Sequence, residues 1–271
     1  VVPLETELLL RGGGLSRDAR TVEEKVRNLY PHFNENEVAA FSRSLHANGD
    51  PHAHIDRLER ELKTLKQELE QWRQRYLSNW DPDAADTNLP QGYWDYHRKG
   101  GRFIADRLLE CFERKSEVFG ERSTSLESGY ALDLSKEFLA HDLERWWREM
   151  PSELKPWLEQ VTTLNLDGSR FSPAPNGLLK DFHHLRQFSA RGCGLPALPE
   201  SVGKMRLLET LRLNDNQIRL TPPALEQLRN LTRLETLRLD DNPLGTPPNI
   251  ERMPRLKVLS LVNAHIDAWP E

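Results

Sequence analysis

The stretch "LETLRLNDNQI" occupies residues 208–218, and "LETLRLDDNPL" returns 26 positions later at 234–244. Both fit L-x-x-L-x-L-x-x-N-x-L. Leu208, Leu211, Leu213, Asn216 and Ile218 carry the first copy; Leu234, Leu237, Leu239, Asn242 and Leu244 carry the second. Three weaker copies keep the same phase: Val161, Leu164, Leu166, Ser169 and Phe171; Leu185, Phe188, Ala190, Cys193 and Leu195; Leu256, Leu259, Leu261, Ala264 and Ile266. Successive starts lie 24, 23, 26 and 22 residues apart. A chance apolar pattern does not hold phase over about a hundred residues.

This spacing is the leucine-rich-repeat signature. Each unit has too little apolar surface to close a core alone, so it stacks on its neighbours. The x-L-x-L-x portion predicts a short parallel strand with leucines inward and polar residues outward. The buried Asn is expected to satisfy backbone groups where the chain leaves the strand. Cys193, Ser169 and Ala264 replace it, and Ser169 and Ala264 are expected to brace their turns less well. Prolines follow each strand motif, as in "LPALPESV" (195–202), "LTPPAL" (220–225) and "GTPPNI" (245–250). "AWPE" (268–271) repeats the "ALPE" of 197–200, so the reading expects a further repeat beyond Glu271 and a piece of a longer protein.

The first third reads as helical. Thr21 with Glu24, and Asn34 with Glu37, form capping boxes. "HANGD" (46–50) supplies a glycine stop, and Asp50–Pro51 a helix start. Ile55, Leu58, Leu62, Leu65, Leu69, Trp72 and Tyr76 then recur at 3-4 spacing. Three heptads are short for a dimeric coiled coil. An antiparallel helical hairpin is favoured, its partner a helix around 103–118 with Ile104, Leu108, Cys111 and Val118 on one face. Residues 77–101, rich in Asp, Pro, Gly and Asn, predict a loop. Residues 131–135 predict a degenerate repeat strand. Residues 138–150, with Leu139, Leu143, Trp146, Trp147 and Met150, predict an amphipathic cap over the first repeat.

The fold class is therefore α/β: a leucine-rich-repeat solenoid preceded by an α-helical region with a helical hairpin. The expected division is 1–125 helical with a coiled-coil-like hairpin, 126–160 as N-terminal cap, and 161–271 as repeats truncated at the C-terminus.

Composition excludes several classes. The 271 residues are 37% hydrophobic and 29% charged with a formal net charge of −5. No basic field for nucleic acid or an anionic membrane is present, and no run is long and apolar enough to span a bilayer. Two cysteines make no disulfide framework. The histidines of "PHAH" (51–54) and His183–His184 lack ligands at metal-site spacing. "RGGGL" (11–15) lacks the Lys-Ser or Lys-Thr of a P-loop. No catalytic residue, metal site or cofactor is expected in this chain.

Together, "VRNLYPHFNENEVAAFSRSL" (26–45), the leucine-rich helix at 55–76, "LLECFERKSEVFG" (108–120), "GYALDLS" (129–135) and the repeats resemble one group of bacterial effectors. These are leucine-rich-repeat proteins with a C-terminal NEL ubiquitin-ligase domain, including dermonecrotic-toxin-like pseudomonad proteins. The resemblance implies a secreted virulence protein acting in the host cytoplasm. Its repeats would select a protein target and restrain the ligase. Ubiquitin and a conjugating enzyme would enter only through a downstream domain with a C-x-D cysteine. Neither cysteine here fits, because Cys111 opens "CFE" and Cys193 opens "CGL". The alternative is a non-enzymatic protein-interaction module.

In either case the partner is a protein, bound on the concave face where the third, fifth and seventh pattern positions point outward. The candidate residues are Gln187, Arg191, Thr210, Arg212, Asn214, Thr236, Arg238 and Asp240. Arg212 and Arg238 fall at the same position of adjacent repeats. Like charges side by side are unfavourable, and two readings of the pair stand: a solvated mixed-charge face in which Asn214, Asp215, Asp240 and Asp241 lie near enough to offset the repulsion, or an arginine pair that meets a partner's carboxylates.

Overall fold

The computed structural model describes residues 18–75, 91–135, 143–171 and 174–267. Six parallel strands form one sheet in chain order: β3 (Tyr130–Asp133), β4 (Val161–Asn165), β5 (Gln187–Ser189), β6 (Thr210–Arg212), β7 (Thr236–Arg238) and β8 (Val258–Ser260). The register is the one the repeat dictates: Leu132, Leu164, Phe188, Leu211, Leu237 and Leu259 align in one row. The first five are at most 1% exposed. Full burial of such a side chain contributes about 1.5–3 kcal/mol, against about 0.5–1.5 kcal/mol net for a hydrogen bond. Each ladder holds several such bonds, so the leucine row and the ladders hold the stack together. Leu259 is 39% exposed, because no described strand pairs beyond β8.

The ladder of turn residues carries the expected hydrogen bonds. Asn216 Nδ2 donates to the carbonyls of Ala190 (2.8 Å) and Leu213 (2.9 Å), while its Oδ1 accepts from Cys193 N and Leu195 N. Asn242 repeats this one unit on, donating to Leu213 and Leu239 and accepting from Ile218 N. Ser169 manages one such bond, to Leu134 O at 3.3 Å. Just before the ladder residue, each of the five repeats places a residue in the left-handed region: Gly168, Gly192, Asp215, Asp241 and Asn263. Gly, Asp and Asn are the types that tolerate it.

Both capping boxes are present on α1 (Val22–Leu29) and α2 (Glu35–Ala47). Gly49 at φ +110° and Asp50 separate α2 from α3 (Pro51–Arg75). The apolar seam of α3, from Ile55 to Trp72, is buried within this chain; Tyr76 lies outside the described residues. It packs on α4 (Gln91–Phe112). Lys66 pairs with Glu113 at 2.5 Å and Arg73 with Asp106 at 2.9 Å. The partner number falls as the α3 number rises, so the helices run antiparallel. A dimeric coiled coil is not shown.

Two expectations are corrected here. The loop predicted over 77–101 gives way to helix from Gln91; residues 77–90 lie outside the described residues. One of the glycines taken as loop signals serves close packing: a Cβ on Gly100 would stand 2.1 Å from the Trp146 ring. The helix predicted to include Val118 ends at Phe112. Arg114 adopts φ +55°, Arg114 N bonds Cys111 O, and Lys115 N bonds Glu110 O. This is a Schellman stop with arginine where glycine is usual. Val118 instead lies on a two-strand hairpin, β1 (Glu117–Val118) with β2 (Glu121–Arg122).

The amphipathic cap is seen as α5 (Leu143–Glu149), which packs on α4; Phe138 and Leu139 lie outside the described residues. Short helices α6 (Lys155–Leu158), α7 (Asn176–Leu179) and α8 (Pro222–Arg229) fill the return segments. Phe112 meets Tyr130 and Trp157 at ring-centroid distances of 5.3 and 5.4 Å. One hydrophobic cluster therefore runs from Val22 to Ala264.

Candidate functional site on the concave face

Two rows flank the leucine row on the concave side. Ala131, Thr163, Gln187, Thr210, Thr236 and Val258 form one; Asp133, Asn165, Ser189, Arg212, Arg238 and Ser260 form the other. Arg212 and Arg238 are thus side by side on β6 and β7. Adjacent strands lie about 4.8 Å apart. Burial and the neighbouring Arg238 charge, in that order, pull the Arg212 guanidinium below its ordinary value.

Two acidic residues of this face, Asp167 and Asp240, are engaged by the solenoid itself. Asp167 Oδ1 accepts from Ser189 Oγ at 2.6 Å and from Arg191 N at 2.8 Å. Asp240 is 7% exposed. Its Oδ1 accepts from Ser260 Oγ and, at 2.9 Å, from Val262 N; its Oδ2 accepts from Asn214 Nδ2 at 2.6 Å. Asn214 Oδ1 is buried without a hydrogen-bond partner among the described residues. Among the described residues, no carboxylate lies within 4 Å of the Arg191, Arg212 or Arg238 guanidinium. The offset expected from Asn214, Asp215, Asp240 and Asp241 does not take the form of ion pairs.

Thr210, Thr236 and Gln187 are partly exposed, and Arg191 and Arg238 are exposed. Gln187 and Thr163 do not face open solvent alone. With Val118, Glu121 and Arg122 of the hairpin they line a cleft of about 180 Å³. Sequence reasoning missed this hairpin. Its turn residues, Phe119 at φ +56° and Gly120 at φ +79°, have the positive φ pair of a type I′ turn. The Phe119 ring lies under the Arg212 guanidinium, 4.4 Å from Cζ to centroid. Arg122 Nη1 reaches Glu37 Oε1 at 3.2 Å. Arg114, 3% exposed, donates to Gly129 O at 2.7 Å and Ser123 Oγ at 2.5 Å, with its guanidinium over Tyr130 at 4.4 Å. The only local signal for the hairpin is the single Gly120.

The two thiols are buried. Burial pushes Cys111 far up, and pushes Cys193 up to about 12. Among the described residues, no group of three or more His, Cys, Asp or Glu could hold a metal ion, and no helix is long and apolar enough to cross a membrane.

Residues 207–228 match the family described as Leucine Rich Repeat. No curated protein sequence matches the chain. Among solved structures, a leucine-rich-repeat protein of Leptospira interrogans is 24% identical over 48% of this chain and 30% of its own, with a TM-score of 0.39. An internalin from Listeria monocytogenes is 17% identical over 45% of this chain and 37% of its own, TM-score 0.34. The leucine-rich-repeat ectodomain of a receptor kinase from Arabidopsis thaliana is 16% identical over 58% and 79%, TM-score 0.36. The chain thus spans about a third of the length of the first two.

Proposed function

We propose that this chain is the target-recognition region of a protein that binds other proteins through the concave face of its repeats. The observation that supports this most is the pair Arg212–Arg238, held in register on adjacent strands without carboxylate partners among the described residues. A solenoid's curvature makes such a face an extended binding surface, and arginine is enriched in binding hot spots. Within the fold the Phe119 ring accounts for a cation at Arg212, but not for a second guanidinium beside it at Arg238.

The finer reading is that the parent protein is a secreted bacterial effector resembling NEL-type ubiquitin ligases. It rests on the sequence motifs of the helical preface, and the catalytic domain would be a separate one. The alternative, a repeat module with no enzyme attached, stands on the same face.

A photo-crosslinking amino acid at Thr236, compared with one at Glu226 on α8, tests recognition. The expected result is a defined adduct, identified by mass spectrometry, from Thr236 only. Equal or exclusive crosslinking from Glu226 would contradict the concave site. In a reaction with activating enzyme, conjugating enzyme and ubiquitin, this chain is expected to form no dithiothreitol-sensitive adduct, since both thiols are buried and far from their reactive form.

A further inference from the structure

The β1–β2 hairpin precedes the repeats in sequence yet sits on their concave face. Val118 of β1 is buried, and the hairpin's strands wall a cleft against Thr163 and Gln187. The tip residue Phe119 is held at φ +56°, where bulky residues are rarely found. The salt bridge to Glu37 and the packed Arg114 anchor the strands on both sides. What the tip does is carry a ring to Arg212.

A guanidinium over an aromatic ring keeps its edge donors available while losing side-chain freedom. A carboxylate can then meet it with paired, charge-assisted hydrogen bonds. Asp167 and Asp240, the acids on this face nearest the arginines in the register, already accept from hydroxyls and backbone amides. Both guanidinia are open to a carboxylate from another molecule, Arg238 being exposed and Arg212 partly so.

We propose that the face binds an extended acidic segment of a protein partner, its carboxylates meeting Arg212 and Arg238, and that Phe119 is the positioning residue that presents Arg212 to them. This rests on the protein-recognition reading above. The hairpin closes the side of β3 to β5, so the segment lies over β6 to β8. A polypeptide fits better than nucleic acid. Arg191, Arg212 and Arg238 make a short basic row, whereas nucleic acid presents a continuous line of phosphate charges. The whole chain carries a net charge of −5 and so lacks the extended basic field that a polyphosphate backbone requires.

The test is fluorescence anisotropy with three labelled probes: a peptide alternating Glu and Ser, its Gln-for-Glu counterpart, and an oligothymidylate. The Glu peptide should bind, and the other two should bind more weakly. Affinity should fall about tenfold in Arg212→Gln or Arg238→Ala, as for hot-spot arginines. It should fall roughly two- to fivefold in Phe119→Ala and be kept in Phe119→Tyr, which retains the ring. The melting curve of Arg238→Ala should match the parent, and that of Arg212→Gln should shift only slightly through loss of the Phe119 contact. The proposal is overturned by equal binding of the Gln peptide, by preference for oligothymidylate, or by failure of the Glu peptide to bind. Tighter binding in Phe119→Ala would also overturn it, since the hairpin would then be a plug. If Thr236 crosslinking persists in Arg212→Gln/Arg238→Ala, protein recognition stands and the acidic seat falls.

Discussion

At the scale of the residue, burial and hydrogen bonding rank the side chains. Leu211 is fully buried, so Leu211→Ala is expected to cost about 2–5 kcal/mol. Asn216→Ala is expected to cost about 1–3 kcal/mol by leaving buried backbone groups unpaired. Leu259→Ala, at a site 39% exposed, should cost much less than Leu211→Ala. Urea midpoints of the three variants check the order, and equal midpoints would refute the register. His32 offers a pH handle. Its Nε2 sits 3.1 Å from Arg114 O, and a carbonyl only accepts, so Nε2 carries the proton. Nδ1 is then the bare nitrogen, buried without a partner among the described residues. Burial holds this histidine below its ordinary value of 6.5. The unfolded chain therefore binds the proton more readily, and stability is lost as pH falls through that value. The melting temperature should drop between about pH 7.5 and about pH 5.5, and His32→Gln should flatten the drop. A steeper drop in the variant would contradict the assignment.

At the scale of the element, the legible features were those that a local period or cap writes into the chain. The leucine row, the asparagine ladder, both capping boxes and the α3 seam were readable because each repeats or pairs residues a few positions apart. The start of α4, its stop at Arg114 and the hairpin were not. Their causes are tertiary: Trp146 against Gly100, a guanidinium satisfied by distant carbonyls and rings, and a turn whose first residue is Phe rather than Asn. A paired substitution separates the two kinds of glycine. Gly92→Ala meets nothing within 4 Å and should stabilise α4 by up to about 1 kcal/mol through helix propensity. Gly100→Ala should destabilise by about 1–3 kcal/mol by pushing on Trp146. Thermal denaturation of both variants checks this, and a stabilising Gly100→Ala would contradict the α4–α5 contact. Of the candidate site, the Arg212–Arg238 alignment was legible from repeat phase. The engagement of Asp240 was not, because its partners Ser260 and Val262 belong to the next repeat.

At the scale of the whole molecule, helical region and repeats share one core, and the helical region lends the hairpin to the repeats' concave face. Recognition is therefore expected to involve both parts of the chain together. Hydrogen exchange with and without the partner captured at Thr236 tests this most directly. The account predicts slower exchange at Glu117–Arg122, Thr210–Arg212 and Thr236–Arg238, with α8 unchanged. Protection confined to α8 and the Glu200–Lys204 turn on the opposite side, with those three segments unaffected, would contradict it.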